Sequence, residues 1–318
     1  MAVRNDLTVV ALGGNALVAA GGAGTIAEQR AVAQRTMAQL ADAIAAGARC
    51  VLTHGNGPVV GNILLRNEAL AGTIAPMPLD VCGADSQGGI GYVLQQALQN
   101  ELARRGIRRT VATLVTQVEV DPHDPAFAHP TKPIGPFYPA DEAAALVAAR
   151  GWTLCDDAGR GMRRVVASPR PLRIVEADVV RLLVDEGVLV ICAGGGGIPV
   201  VRRGTTHEGI EAVVDKDRTA AVLATQLGAK RLVLLTGVAT LMRDYGTAQA
   251  RPLDRISAED AASMLAAGAF APGSMAPKIE AAVDFLRAGG REVVITDPEH
   301  TGAALAGAGG THIAASLS

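Results

Sequence analysis

Leu7-Thr-Val-Val-Ala-Leu-Gly-Gly-Asn15 sets the reading of the whole chain. An uncharged run, apolar at nearly every position, breaks off into two glycines. That is the pattern of a strand buried on both faces, not of one alternating between core and water. The same order of events recurs at Cys50-Val-Leu-Thr-His-Gly-Asn-Gly57, and again where residues 188–193 run into Gly194, Gly195, Gly196 and Gly197. Further strand-like runs lie at 110–118, 231–236 and 292–296. Between them, Ala-rich stretches carry helical spacing at 27–46, 88–105, 140–149, 176–186, 216–227, 258–266 and 275–288. Strand alternating with helix predicts an α/β fold, a mostly parallel open sheet with helices on both faces.

One stretch departs from this rhythm. Residues 120–170 turn Pro-rich and polar, with DPHDPAFAHPTKPIGPFYP (121–139) followed by DDAGRGMRR (156–164). Proline removes backbone donors, so this segment is not expected to supply a core strand or helix. It reads as a small protruding subdomain or lid.

Composition narrows the function classes. The chain has 318 residues, 49% hydrophobic, with only 3% aromatics, so its core is built from Ala, Val, Leu and Ile. A net charge of −2 and the lack of a basic stripe argue against nucleic acid as a partner. No apolar run is long enough for a membrane span. Cys50, Cys82, Cys155 and Cys192 are scattered without a CxxC pair, as expected of thiols in a reducing cytoplasm, and no metal-ligand pattern is present.

Three glycine turns after buried strands imply an anion site. Glycine lets backbone amides approach phosphate or carboxylate oxygens, and the helix that follows favours negative charge at its start. Neither a P-loop, a dinucleotide fingerprint nor protein-kinase loops occur. Lysine is scarce: Lys132, Lys216, Lys230 and Lys278 are the only ones. Lys230 reads as a solvated turn residue. The other three sit in motifs, and their ammonium groups suit phosphoryl transfer, which is largely positioning and charge stabilisation. Asp217 reads as an acceptor-only anchor for two of these lysines, with Asp215 as the helix N-cap. No base is needed if the acceptor oxygen is already ionised.

The segments ALGGNAL, THGNGPVVGN, SQGGIGY, PTKPIGPFY, AGGGGIPV, VVDKD and APGSMAPKIEAA, in order along nearly the whole chain, resemble the carbamate kinase family of the amino acid kinase superfamily. The resemblance implies a three-layer αβα sandwich, a cytoplasmic homodimer, and a place in arginine catabolism. It implies reversible transfer between carbamoyl phosphate plus ADP and carbamate plus ATP, running toward ATP, with Mg2+ carried mainly by the nucleotide phosphates. Residues 1–228 would form the acceptor lobe, including the subdomain at about 120–170, and residues 229–318 the nucleotide lobe. Lys132 would reach the carbamoyl phosphate, and Lys216 and Lys278 would flank the transferring phosphoryl group with Asp217 as organiser. Gly13, Gly14, Asn15, Gly55, Asn56, Gly57, Gly195 and Gly196 would contact phosphate and acceptor. Thr236, Gly237, Tyr245 and Met275 would contact the nucleotide.

The chain departs from the family pattern at several positions. Asp85 and Gly89 replace larger apolar residues, Val59 a polar one and Ala167 a proline, and LLTGVAT lacks acidic residues. Asp85 reads as the cap of a helix beginning near Ser86. Two alternatives stay open: a kinase of the same fold with another carboxylate acceptor, and an inactive nucleotide-binding regulator.

Overall fold

In the computed structural model, which describes residues 6–14, 24–156, 159, 161–247, 249–271 and 273–316, the opening uncharged run is β1 (Thr8–Leu12), buried at all five positions. The chain crosses through α1 (Ile26–Ala45) to β2 (Cys50–His54), which pairs parallel to β1. Helices α2 (Val59–Ala69) and α3 (Leu79–Arg104) lead to β3 (Val111–Thr113), and β4 (Gln117–Val120) then leaves the sheet. A small excursion follows, made of β5 (Lys132–Tyr138), α4 (Ala140–Arg150), β6 (Thr153–Asp156) and β7 (Met162–Val166). Strand β8 (Pro171–Ile174) and α5 (Ala177–Asp185) return the chain to β9 (Leu189–Ile191). The hairpin β10 (Ile198–Arg203) and β11 (Thr206–Gly209) precedes α6 (Lys216–Gln226) and β12 (Arg231–Leu235). Next come β13 (Leu241–Arg243), β14 (Arg251–Leu253), β15 (Arg255–Ser257), α7 (Ala258–Ala266) and α8 (Ala276–Arg287). The last elements are β16 (Glu292–Thr296), α9 (Thr301–Leu305) and β17 (Thr311–Ala314).

Eight strands form one sheet in the order β15-β17-β16-β12-β1-β2-β9-β3, parallel except where β17 meets β16. Its side chains divide by the period of two. Val9, Ala11, Leu232, Leu234, Val293 and Ile295 face one core with Leu223 of α6 and Phe285 of α8. Val10, Leu12, Leu52, Val233, Leu235 and Val294 face another with Met37 of α1 and Leu94 of α3. A sheet with apolar cores on both faces is the arrangement the runs predicted, and it is the three-layer αβα sandwich the resemblance implied.

Two local readings are corrected and one helix is added. The run at 110–118 is two strands: β3 stays in the main sheet, while β4 joins a second sheet in the order β11-β10-β4-β8. Residues 59–69, to which the sequence reading assigned no element, form α2. Asp85 does not cap a helix at Ser86, because α3 already starts at Leu79 and Asp85 lies exposed within it. The glycines of SQGGIGY lower helix propensity, but burial of Leu79, Cys82, Ile90, Leu94 and Leu98 on one side outweighs it.

The Pro-rich segment does contain regular structure. β5, β7 and β6 form a separate antiparallel sheet with β5 at its edge, where Pro133 costs no ladder bond in the core. This subdomain docks on α2. A Cβ on Gly61 would stand 2.4 Å from the Gly135 Cα, so helix and strand touch backbone to backbone there. At the other end of α2, Glu68 accepts from Arg150 at 3.0 Å and Arg164 at 2.6 Å. Both guanidinium groups lie over the Trp152 ring, at 4.8 and 4.7 Å from its centroid.

Candidate active site

The three glycine turns meet at the C-terminal ends of β1, β2 and β9, the crevice edge of a parallel sheet. Gly13 lies beside the Leu235 carbonyl, Gly14 beside Gly57, and Gly55 beside the Lys216 stem. The Gly55 amide donates to Leu12 O at 3.0 Å, and the Thr53 hydroxyl to Ala193 O at 2.9 Å. Gly195 has φ +68°, and a Cβ there would stand 2.1 Å from Asn56 Oδ1, so no other residue fits. The Ser86 hydroxyl fixes that Asn56 oxygen at 2.7 Å. Thr219 of α6 donates to Gly196 O at 2.8 Å and ties the third turn to the helix. His54 is buried with Nδ1 at 2.9 Å from Gly55 O, and burial pushes its pKa down to about 4. It is therefore neutral at pH 7 and serves the turn rather than proton transfer.

The start of α6 gathers the charges. Asp215 caps the helix, its Oδ1 accepting from the amides of Asp217 at 3.0 Å and Arg218 at 3.4 Å. Its Oδ2 accepts from Lys132 Nζ at 2.7 Å. Asp217, almost fully buried, accepts from Lys216 on Oδ1 and from Lys278 Nζ at 2.8 Å on Oδ2. Lys132 arrives from β5 in the subdomain, and Lys278 from the first turn of α8.

Burial alone would raise both carboxyls. The neighbouring ammonium groups outweigh it, Lys132 foremost for Asp215 and Lys216 for Asp217, and hold both below the usual carboxylate range. Burial pushes Lys216 down, and the Lys278 charge adds to this. For Lys278 the Asp217 carboxylate outweighs burial and moves it up. Three ammonium groups against two carboxylates leave one net positive charge in a largely dry pocket, which suits an anionic ligand. The four oxygens of Asp215 and Asp217 are all engaged by lysines or helix amides. They offer no open carboxylate for a protein-held metal, and among the described residues no group of three His, Cys, Asp or Glu side chains is placed to hold one.

The expected nucleotide residues are less tightly grouped. The Thr236 amide donates to Thr296 O at 2.7 Å. Thr236 and Gly237 line a cleft of about 500 Å³ with Arg35, Gln39, Asp297 and Glu299. Met275 sits half-buried at the N-cap of α8, while Tyr245 is 77% exposed. Asn15 lies outside the described residues. Sequence reading missed the bond from Asp215 to Lys132, and the anchoring by Ser86 and Thr219. Those partners are far apart in the chain and carry no local signal.

The amino acid kinase family model matches residues 6–297. The carbamate kinase of Halobacterium salinarum is 49% identical over 96% of this chain and 97% of its own. The chain belongs to the carbamate kinase family. The carbamate kinase-like protein YqeA of Escherichia coli is 51% identical over 91% of this chain and 92% of its own. The structure of the Giardia lamblia carbamate kinase bound to AMP-PNP superposes with a TM-score of 0.90 at 44% identity, over 97% of this chain and 98% of that one. The reaction of the carbamate kinase family is reversible phosphoryl transfer between carbamoyl phosphate plus ADP and carbamate plus ATP, and the chain is a phosphotransferase of that class. Among the described residues, no helix of this family member is long and apolar enough to cross a membrane.

Proposed function

We propose that this chain makes ATP from carbamoyl phosphate and ADP at the lysine cluster, as a cytoplasmic homodimer. The carrying observation is Asp217 holding Lys216 and Lys278 on its two oxygens. That arrangement presents two fixed positive charges to one point, where a phosphoryl group in transit spreads negative charge over its oxygens. The bond broken joins phosphorus to the carbamoyl oxygen, and the bond formed joins it to a terminal oxygen of ADP. Attacking and leaving oxygens are both anionic, so no proton has to move and no base is required. This fits a site whose one buried imidazole is held neutral by burial.

Lys132 with the turns containing Gly13, Gly14, Gly55, Asn56, Gly57, Gly195 and Gly196 holds the carbamoyl phosphate. Thr236, Gly237, Met275 and Tyr245 serve the nucleotide. Residues 1–228 form the acceptor lobe and residues 229–318 the nucleotide lobe. Mg2+ bound to the nucleotide phosphates would supply further neutralisation of their charge. The purified protein, given carbamoyl phosphate and MgADP, is expected to form ATP. Binding of ADP without ATP formation would reject carbamoyl phosphate as the donor and point to another carboxylate acceptor.

The docking of the subdomain gives a second check. Gly61→Ala inserts a methyl group 2.4 Å from the Gly135 backbone and must push β5 off α2. Lys132 moves with β5, so the KM for carbamoyl phosphate should rise about tenfold or more while the KM for ADP stays near wild type. Equal changes in both constants would show that the subdomain does not belong to the carbamoyl phosphate side.

A further inference from the structure

We infer that Asp215 is a positioning residue that ties the lysine of the subdomain to the helix carrying the other charges. The inference rests on the reaction proposed above and adds a residue to it. Lys132 lies on the edge strand of the small sheet, and its ammonium hangs on a flexible four-carbon stem that nothing in the strand itself would orient. Asp215 meets it at 2.7 Å with one carboxylate oxygen and spends the other on the first amides of α6. The same helix begins with Lys216 and presents Asp217, which holds Lys278. One side chain therefore sets the distance between the ammonium on the carbamoyl phosphate side and the two on the phosphoryl side.

The residue type supports this. Serine and asparagine cap helices about as well as aspartate does, so capping alone requires no charge. A carboxylate that caps with one oxygen and binds an ammonium with the other does need to be aspartate. Asp215 is buried, and its partner reaches it from 83 residues away. The backbone brings the two segments together as well, because Val213 N donates to Ala167 O at 3.0 Å, where the subdomain rejoins the body. A shift of the subdomain would thus pull on the end of the helix that bears the reacting charges.

A double-mutant cycle separates positioning from capping. Asp215→Asn keeps a strong cap and removes the charge, so its melting temperature should fall only by the loss of the partly exposed ion pair to Lys132, with the helix cap kept. Its KM for carbamoyl phosphate should rise about tenfold with the KM for ADP unchanged, a coupling within the range measured for side chains in contact. Lys132→Ala should raise the same KM on its own. Adding Asp215→Asn to Lys132→Ala should then change it less than about twofold, because the residue acts only through Lys132. Asp215→Ser, another strong cap, should repeat the pattern. Additive effects in the cycle, or a wild-type KM in both Asp215 variants, would overturn the inference while leaving the reaction standing. Absence of carbamoyl-phosphate-dependent ATP formation in the wild-type protein would instead reject the reaction itself.

Discussion

Lys216→Ala and Lys278→Ala are each expected to lower turnover by about a hundredfold to a thousandfold, the loss typical of removing one preorganised charge from a phosphoryl or oxyanion site. Both lysines are largely buried and share one carboxylate, so each stands fixed before substrate arrives and no reorganisation is spent at the moment of transfer. Truncating either leaves Asp217 bound to the other and takes the pocket from one net positive charge to none. The fold should survive, because no buried carboxylate is left without a partner. Asp217→Ala differs in kind, for it would strand two buried ammonium groups and should cost about 3–5 kcal/mol of stability. The measurements are steady-state ATP formation from carbamoyl phosphate and MgADP, beside thermal unfolding of each variant. A folded Lys216→Ala or Lys278→Ala enzyme within about tenfold of wild type would place the charge stabilisation elsewhere.

That constellation was legible because lysine is rare in this chain. With only Lys132, Lys216, Lys230 and Lys278 available, three lysines inside motifs stand out against a surface made soluble by Arg, Glu and Asp. The strands were legible for a similar reason, since few patterns other than burial on both faces produce runs such as those at 7–12 and 292–296. What stayed hidden depends on tertiary pairing. Helix α2 follows Pro58 and a glycine turn, and only its packing of Val60 and Leu64 against Ile134 and Val166 reveals why it holds. The early start of α3 is hidden by four glycines, at 83, 88, 89 and 91, whose propensity cost is recovered only on burial. Asp215 was readable as a cap from its position before Lys216. Its second bond, to a lysine in a Pro-rich excursion, has no expression in sequence spacing.

The same is true of a stability effect as large as that of Asp217→Ala, which lies at the opposite end of the sheet from the lysine cluster. Arg231 opens β12 and Glu292 opens β16, and the parallel register sets them side by side. Arg231 is only 1% exposed, and its Nε donates to Glu292 Oε2 at 2.9 Å. Its two terminal nitrogens donate to Leu305 O and Ala304 O, at 2.9 and 2.8 Å, and so satisfy the last carbonyls of α9. His312 of β17 places Nδ1 2.9 Å from Glu292 Oε1. Glu292 thus joins three strands and, through Arg231, a helix. Glu292→Gln should cost about 3–5 kcal/mol, the range for breaking a buried ion pair from one side, because the guanidinium stays buried without its counter-charge.

The pH dependence follows from the same contacts. The hydrogen bond from His312, then the Arg231 charge, overcome burial and hold the Glu292 carboxyl at about 2, below its ordinary 4.5. A depressed carboxyl contributes stability that is complete above the unfolded value and is lost as pH falls toward the folded one. Wild-type urea midpoints should therefore decline between pH 4.5 and about 2 in a component that Glu292→Gln lacks. Parallel declines in the two proteins would show that other carboxylates govern acid unfolding and that this cluster contributes little. A variant that loses several kcal/mol at pH 7 and converges with wild type near pH 2 would instead make Glu292 the bond that keeps the C-terminal strand and α9 on the sheet.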